Sequence, residues 1–284
     1  MIMRIVFLIF LTAFVKSLNA QVLFDLKRDV NLEGWTSPVS EEVKAEVLKK
    51  VEANGSIGWV VYSMENGDST SLVNLHMVDF NCDGIHDFIY TGSVGAESDG
   101  IIFLQGNSNG IYTRVLGLFG RLIDVSVNDG LSPMSFTIEN YGCCGGVIDH
   151  IEKYVPVWNS SKFSFALQAR YAMYYETDLP QTSFEKPIAF KTTNEKYFLR
   201  LNPCINDTIL LDHDEVGNIF AEYPKDSDGI AIAEQIDNTG RVWWFVMMKN
   251  NIKPNWSLYV NGDNNDSPAY YLGWVSSRFV KKIE

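Results

Sequence analysis

Residues 78–92 read VDFNCDGIHDFIYTG, with Asp79, Asn81, Asp83 and Asp87 inside nine positions around Gly84, followed at once by Phe88, Ile89 and Tyr90 as an apolar strand. Three carboxylates in one tight loop repel each other, so the loop is expected to close around a cation. Side-chain oxygens on alternate positions, a glycine at the sharp turn and the backbone carbonyl of Ile85 offer hard oxygen donors, which points to calcium. An EF-hand would place glutamate at its twelfth position and continue into a helix. Counted from Asp79 the twelfth residue is Tyr90 and a strand follows, so Asp87 at the ninth position takes the place of the glutamate.

Around this loop the chain reads as β structure. Short apolar runs such as LHMVDF, DFIYTGS, GIIFLQG, GIYTRVLGLF, MSFTIENYG and HIEKYVPVW alternate with turn tracts at 66–68, 107–110 and 128–130, as does GWVVYSM further upstream. One helix is expected, in SPVSEEVKAEVLKKVEANG (37–55). Pro38 suits a first turn, Glu41 and Glu42 come early, Lys49 and Lys50 late, and Gly55 closes it. Val39, Val43, Val47 and Val51, with Ala45 and Leu48 beside them, give it an apolar stripe to lay on a sheet.

The first twenty residues, MIMRIVFLIFLTAFVKSLNA, carry Arg4, an apolar run over 5–15 and small or polar residues ending at Ala20. This is the pattern of a secretory signal peptide cleaved near Ala20, too short and too soon interrupted by Lys16 for a membrane span. No later stretch is apolar enough to span, so the mature chain is expected to be exported, to the periplasm or the cell exterior. Removing Arg4 and Lys16, and no acid, takes the formal net charge from −12 to −14. Such an acidic chain has no general basic field for nucleic acid. Cys82, Cys143, Cys144 and Cys204 are an even set for an oxidising compartment, and a bridge from Cys82 to one of the adjacent pair is the favoured structural use; no paired C-x-x-C spacing supports zinc.

The run DFNCDGIHDFIYTG followed by GIIFLQGNSNGIYTRV resembles one blade of the FG-GAP or VCBS repeats of integrin-type β-propellers, over about residues 70–115. That resemblance implies Asp79, Asn81, Asp83, Ile85 (through its carbonyl) and Asp87 as calcium ligands. A second copy is degenerate: DVSVNDGLSPMSFTIENYG repeats Asn128, Asp129 and Gly130 before a strand but lacks the last aspartate. A full propeller needs several blades, so a single blade-like calcium hairpin within a smaller sheet is expected.

Past a polar tract with two prolines at 176–187, the strands YFLRLNP, GNIFAEYP, GIAIAEQID, RVWWFVMMK and YYLGWVSSRFVKKI are enough for a small barrel. They resemble a bacterial SH3 domain: Leu199, Arg200 and Pro203 match its opening, Trp244, Phe245 and Val246 its central strand, and Gly273, Trp274, Val275 and Phe279 its closing motif. The loops after Cys204 and after Asn250 are longer than is usual for that family. The resemblance implies a peptide ligand, often of peptidoglycan, in an aromatic groove, for which Tyr223, Trp243, Tyr270, Tyr271 and Trp274 are the candidates. Trp244 and Trp274 are expected to be largely core and two or three of the others exposed. The acidic runs at 212–215 and 263–266 read as solvated loops, or as sites for an amine or a second cation.

The expected organisation is therefore mainly β. A signal peptide (1–20) precedes an amino-terminal sheet domain (21–180) with one amphipathic helix and the calcium hairpin, and an SH3-like barrel (188–284) follows. The expected function is a non-catalytic, calcium-binding envelope protein that holds a cell-wall peptide or protein. A cell-wall hydrolase using Cys143 with His150, or a carboxylate pair, is the rival reading, and a structural accessory protein docking on a partner is the third. YGCCGGVIDH reads as a turn rather than the helix start that activates a cysteine, and no H-E-x-x-H, G-x-S-x-G or phosphate loop is present.

Overall fold

The computed structural model describes residues 39–52, 75–93, 99–128, 132–141, 148–160, 162–207, 217–250, 252–258 and 269–283. The expected signal peptide, the strand GWVVYSM, the turn at 66–68, Cys143 and Cys144, and both acidic runs lie outside them. The described chain is mainly β, with sixteen strands and one α-helix. No helix among the described residues is long and apolar enough to cross a membrane. Two compact units are formed, Asp29–Gly146 with Ile151–Ala169, and Arg170–Glu284 with Val147–His150.

In the amino-terminal unit, helix α1 (Glu41–Glu52) precedes an antiparallel meander of β1 (Leu75–Val78), β2 (Asp87–Ser93), β3 (Asp99–Gly106) and β4 (Tyr112–Phe119). A second run of strands follows, β5 (Arg121–Asn128), β6 (Ser132–Asn140), β7 (Ile148–Asn159) and β8 (Lys162–Tyr174), again paired in chain order. Asn128 ends β5, and 129–131 lie outside the described residues. The second run has the same number of strands as the first.

Alternation along the strands decides the layers. Ile89, Ile101 and Phe103 face a core shared with Leu122, Phe136, Ile138, Tyr154, Phe163 and Phe165 of the second meander. Phe88, Tyr90, Ile102 and Leu104 point the other way, onto Val47 of α1. The helix lies where its charge pattern places it, but its valine stripe does not all reach the sheet, and Val43 is exposed. At 3.6 residues per turn, a four-residue repeat drifts about 40° per step and winds off the contact face. Lys44 covers part of that face instead, its stem buried and its ammonium 2.8 Å from Glu41 Oε1.

The carboxy-terminal unit holds β9 (Ile188–Thr192), β10 (Lys196–Arg200), β11 (Ile219–Pro224), β12 (Asp228–Ile236), β13 (Val242–Met248), β14 (Trp256–Ser257), β15 (Tyr270–Ser276) and β16 (Val280–Lys282). They pair in the order β16-β9-β12-β13-β15, and β15 meets β10 through Trp274 and Arg200, with β11 and β14 beyond. Tyr171 and Ala172 of β8 run parallel to Tyr270 and Tyr271. Among the described residues β14 and β16 do not pair, so the strands form an open path and not the expected closed barrel. The tract 176–187 is packed into this unit: Phe184 N donates to Ile232 O at 2.8 Å, and Trp274 Nε1 donates to Asp178 O at 2.6 Å.

Candidate functional site

The loop between β1 and β2 is closed by its own polar side chains. Asp79 accepts from Asp83 N (3.1 Å) and Gly84 N (2.9 Å), and Asn81 Oδ1 accepts from Asp83 N (3.0 Å). Asp83 accepts from Ile85 N (2.8 Å) and from Asn81 Nδ2 (2.9 Å). Gly84 sits at φ +81°, a conformation that glycine adopts without strain. Asp79, Asn81 and Asp83 are thereby brought together as read from sequence.

Asp87 has a second task that the spacing did not reveal. It is fully buried, and its two oxygens accept from Phe80 N (3.1 Å) and from Gly106 N at the end of β3 (2.8 Å). Burial pushes its carboxyl up to about 7, helped by the charges of Asp83 and Asp79 and opposed by the two backbone donors. Gly106 is required here, since a Cβ at this position would stand 2.4 Å from His86 O.

No group of three or more His, Cys, Asp or Glu side chains at metal-holding spacing occurs among the described residues. The donors in the loop are nonetheless all hard oxygens, from Asp79, Asn81, Asp83, Asp87 and the Ile85 carbonyl, a chemistry that suits calcium and not a soft metal. Cys82, expected to bridge to Cys143 or Cys144, stands as a free thiol, as does Cys204. Burial and the neighbouring aspartates push the Cys82 thiol up, the opposite of what a nucleophile needs.

In the carboxy-terminal unit the structure corrects the aromatic candidates. Tyr223, Trp243, Tyr271 and Trp274 are all buried and Tyr270 is half-buried, leaning on Tyr171 with ring centres 5.7 Å apart. Tyr223 and Tyr271 pack against each other and Trp274 against Phe245. The cause is that β13 and β15 are covered on both faces: every residue from Trp243 to Met248 and from Tyr271 to Ser276 is buried. Trp244 and Trp274 are core, as expected.

A groove does exist in this unit, elsewhere. It has a volume of about 180 Å³, and Tyr197, Phe198, Trp243 and Phe279 form its aromatic walls. Lys196, Arg200 and Arg241 also line it, and no acidic residue among the described residues does. Of the sequence candidates only Trp243 takes part, held by a bond of its Nε1 to Asp237 Oδ2 (2.9 Å). Tyr197 donates its hydroxyl to Ser276 O, and burial pushes its phenol up against the opposing charges of Arg200 and Arg241 close by. Lys196 faces Glu222 at 3.7 Å and Arg200 pairs with Asp207. Three separated stretches, 194–205, 241–243 and 276–279, build this groove, and the pairing of β10 and β13 with β15 brings them together.

No family model matches the chain, and neither do the curated proteins or the solved structures.

Proposed function

We propose that this is an exported, non-catalytic binding protein of the cell envelope. Its amino-terminal unit is a propeller-blade-like scaffold stiffened by calcium in loop 79–87, and its carboxy-terminal unit is an SH3-like module that holds a cell-wall peptide or an envelope protein. The observation that carries the reading is the groove lined by Phe198, Ile205 and Phe279 with the buried Tyr197 and Trp243, a concave surface on which Lys196, Arg200 and Arg241 converge. When bound, calcium would neutralise the loop carboxylates and replace the contact of Asn81 Nδ2 with Asp83 by oxygen ligation.

Two experiments test the two halves. Calcium is expected to raise the thermal midpoint of the purified chain, and Asp83→Ala to abolish the rise; an unchanged rise would remove calcium from this loop. The chain is also expected to co-sediment with purified peptidoglycan sacculi without releasing soluble fragments. Fragment release would favour the hydrolase reading, and absence of sedimentation would shift the ligand to an envelope protein.

A further inference from the structure

We propose that the groove of the carboxy-terminal unit takes the free carboxylate end of a peptide, with Arg241 as the charge that meets it. This deepens the reading of the groove as a peptide site and rests on it. The chain is strongly acidic, at −12, yet the three charged side chains lining the groove are all cations. Two of them are engaged, Lys196 with Glu222 and Arg200 with Asp207. Arg241 has no carboxylate partner among the described residues, and its guanidinium carbon lies 5.7 Å from the centre of the Trp243 ring. A guanidinium stacked on an indole keeps its edge donors open for a bidentate carboxylate.

Its setting is fixed before any ligand arrives. Asp237, the acidic residue of the β12–β13 turn, is occupied by Thr239, by Arg241 N (3.0 Å) and by Trp243 Nε1, which pins the Arg241 backbone and the Trp243 ring together. These bonds hold the Asp237 carboxyl well below the usual carboxylate range, so it keeps its charge and its partners. Beside Trp243, as its cross-strand partner on β15, Ser276 is buried, and its Oγ has no hydrogen-bond partner among the described residues. A volume of about 180 Å³ lies below that of drug-sized sites, roughly 300–1,000 Å³, and suits the last residue of a chain better than a strand passing through.

The test follows the Trp243 indole N–H by NMR, assigned with Trp243→Phe, while the full chain is titrated with three pools of N-acetylated pentapeptides. One pool has free carboxyl ends and no Asp or Glu, the second is the same pool amidated, and the third is amidated but carries one internal Asp. The free-end pool is expected to shift the resonance, and both amidated pools to bind at least about tenfold more weakly. Arg241→Gln, an exchange at a half-buried hairpin position, should level the free and amidated pools, and Arg241→Lys should keep part of the preference. Equal binding of the free and amidated pools, or a preference that survives Arg241→Gln, would overturn the carboxylate while leaving a peptide groove. Tight binding of the internal-Asp pool would overturn the chain end. No shift with any pool would overturn the groove reading together with the inference.

Discussion

Replacing Asp87 by alanine is expected to destabilise the amino-terminal unit by roughly 2–6 kcal/mol, because two buried backbone donors, Phe80 N and Gly106 N, lose their acceptor together and each costs about 1–3 kcal/mol. Urea denaturation at pH 5 would read this as a lower midpoint with an unchanged slope. A loss below about 1 kcal/mol would mean that Asp87 is not the clasp between the loop and β3. The same group gives a pH signature in the presence of a chelator. Its carboxyl is raised from 3.8 to about 7 in the folded chain, so the folded state holds the proton more tightly than the unfolded one. Its contribution to stability is therefore complete below about pH 4 and is lost as the pH rises to 7, at up to about 1.4 kcal/mol per pH unit. Asp87→Asn, which carries no proton, should lack that component. Identical pH slopes for the two proteins would refute it; on the proposal that calcium binds this loop, added calcium, by favouring the carboxylate, should flatten the wild-type slope.

Phe103→Ala should cost roughly 3–5 kcal/mol, among the largest effects of any single truncation. The ring is fully buried, stacks on Phe136 at 4.5 Å and touches Phe165 at 4.8 Å and Phe80 at 5.6 Å. It thus joins β3 of the first meander to β6 and β8 of the second. If the two meanders share one core, hydrogen exchange should speed up in both when this ring is removed. Faster exchange confined to β1–β4 would show that the second meander is stable by itself.

The acidic loop was readable because its chemistry is local: polar side chains within nine residues need only a turn to meet. The clasp to Gly106 was not, because it joins positions nineteen apart in sequence through a backbone donor that leaves no mark on residue type. The aromatic nominees other than Trp243 do not line a groove, for a related reason. VWWFVMM and YYLGWV are unbroken apolar runs, the pattern of strands covered on both faces, and that pattern outweighs the exposed groove expected from the resemblance. The longest strand, β8, went unmarked even though Phe163, Phe165 and Leu167 alternate in its first half, because continuous burial from Tyr171 to Tyr174 replaces that rhythm further on. The groove itself had no local signal, since Arg200 ends β10 and Arg241 precedes β13, two strands that meet only through β15.

The open path of the carboxy-terminal strands has a colloidal consequence. Among the described residues the sheet does not close, and such an outer strand has a backbone that could recruit the same strand of another molecule and begin a polymer. That strand, β16, is only three residues long and displays Lys281 and Lys282 to solvent, the latter with its ammonium 5.6 Å from the Trp244 ring. Two molecules meeting edge to edge would bring these ammonium groups together, so the short basic strand guards the chain against self-templated aggregation at high local concentration.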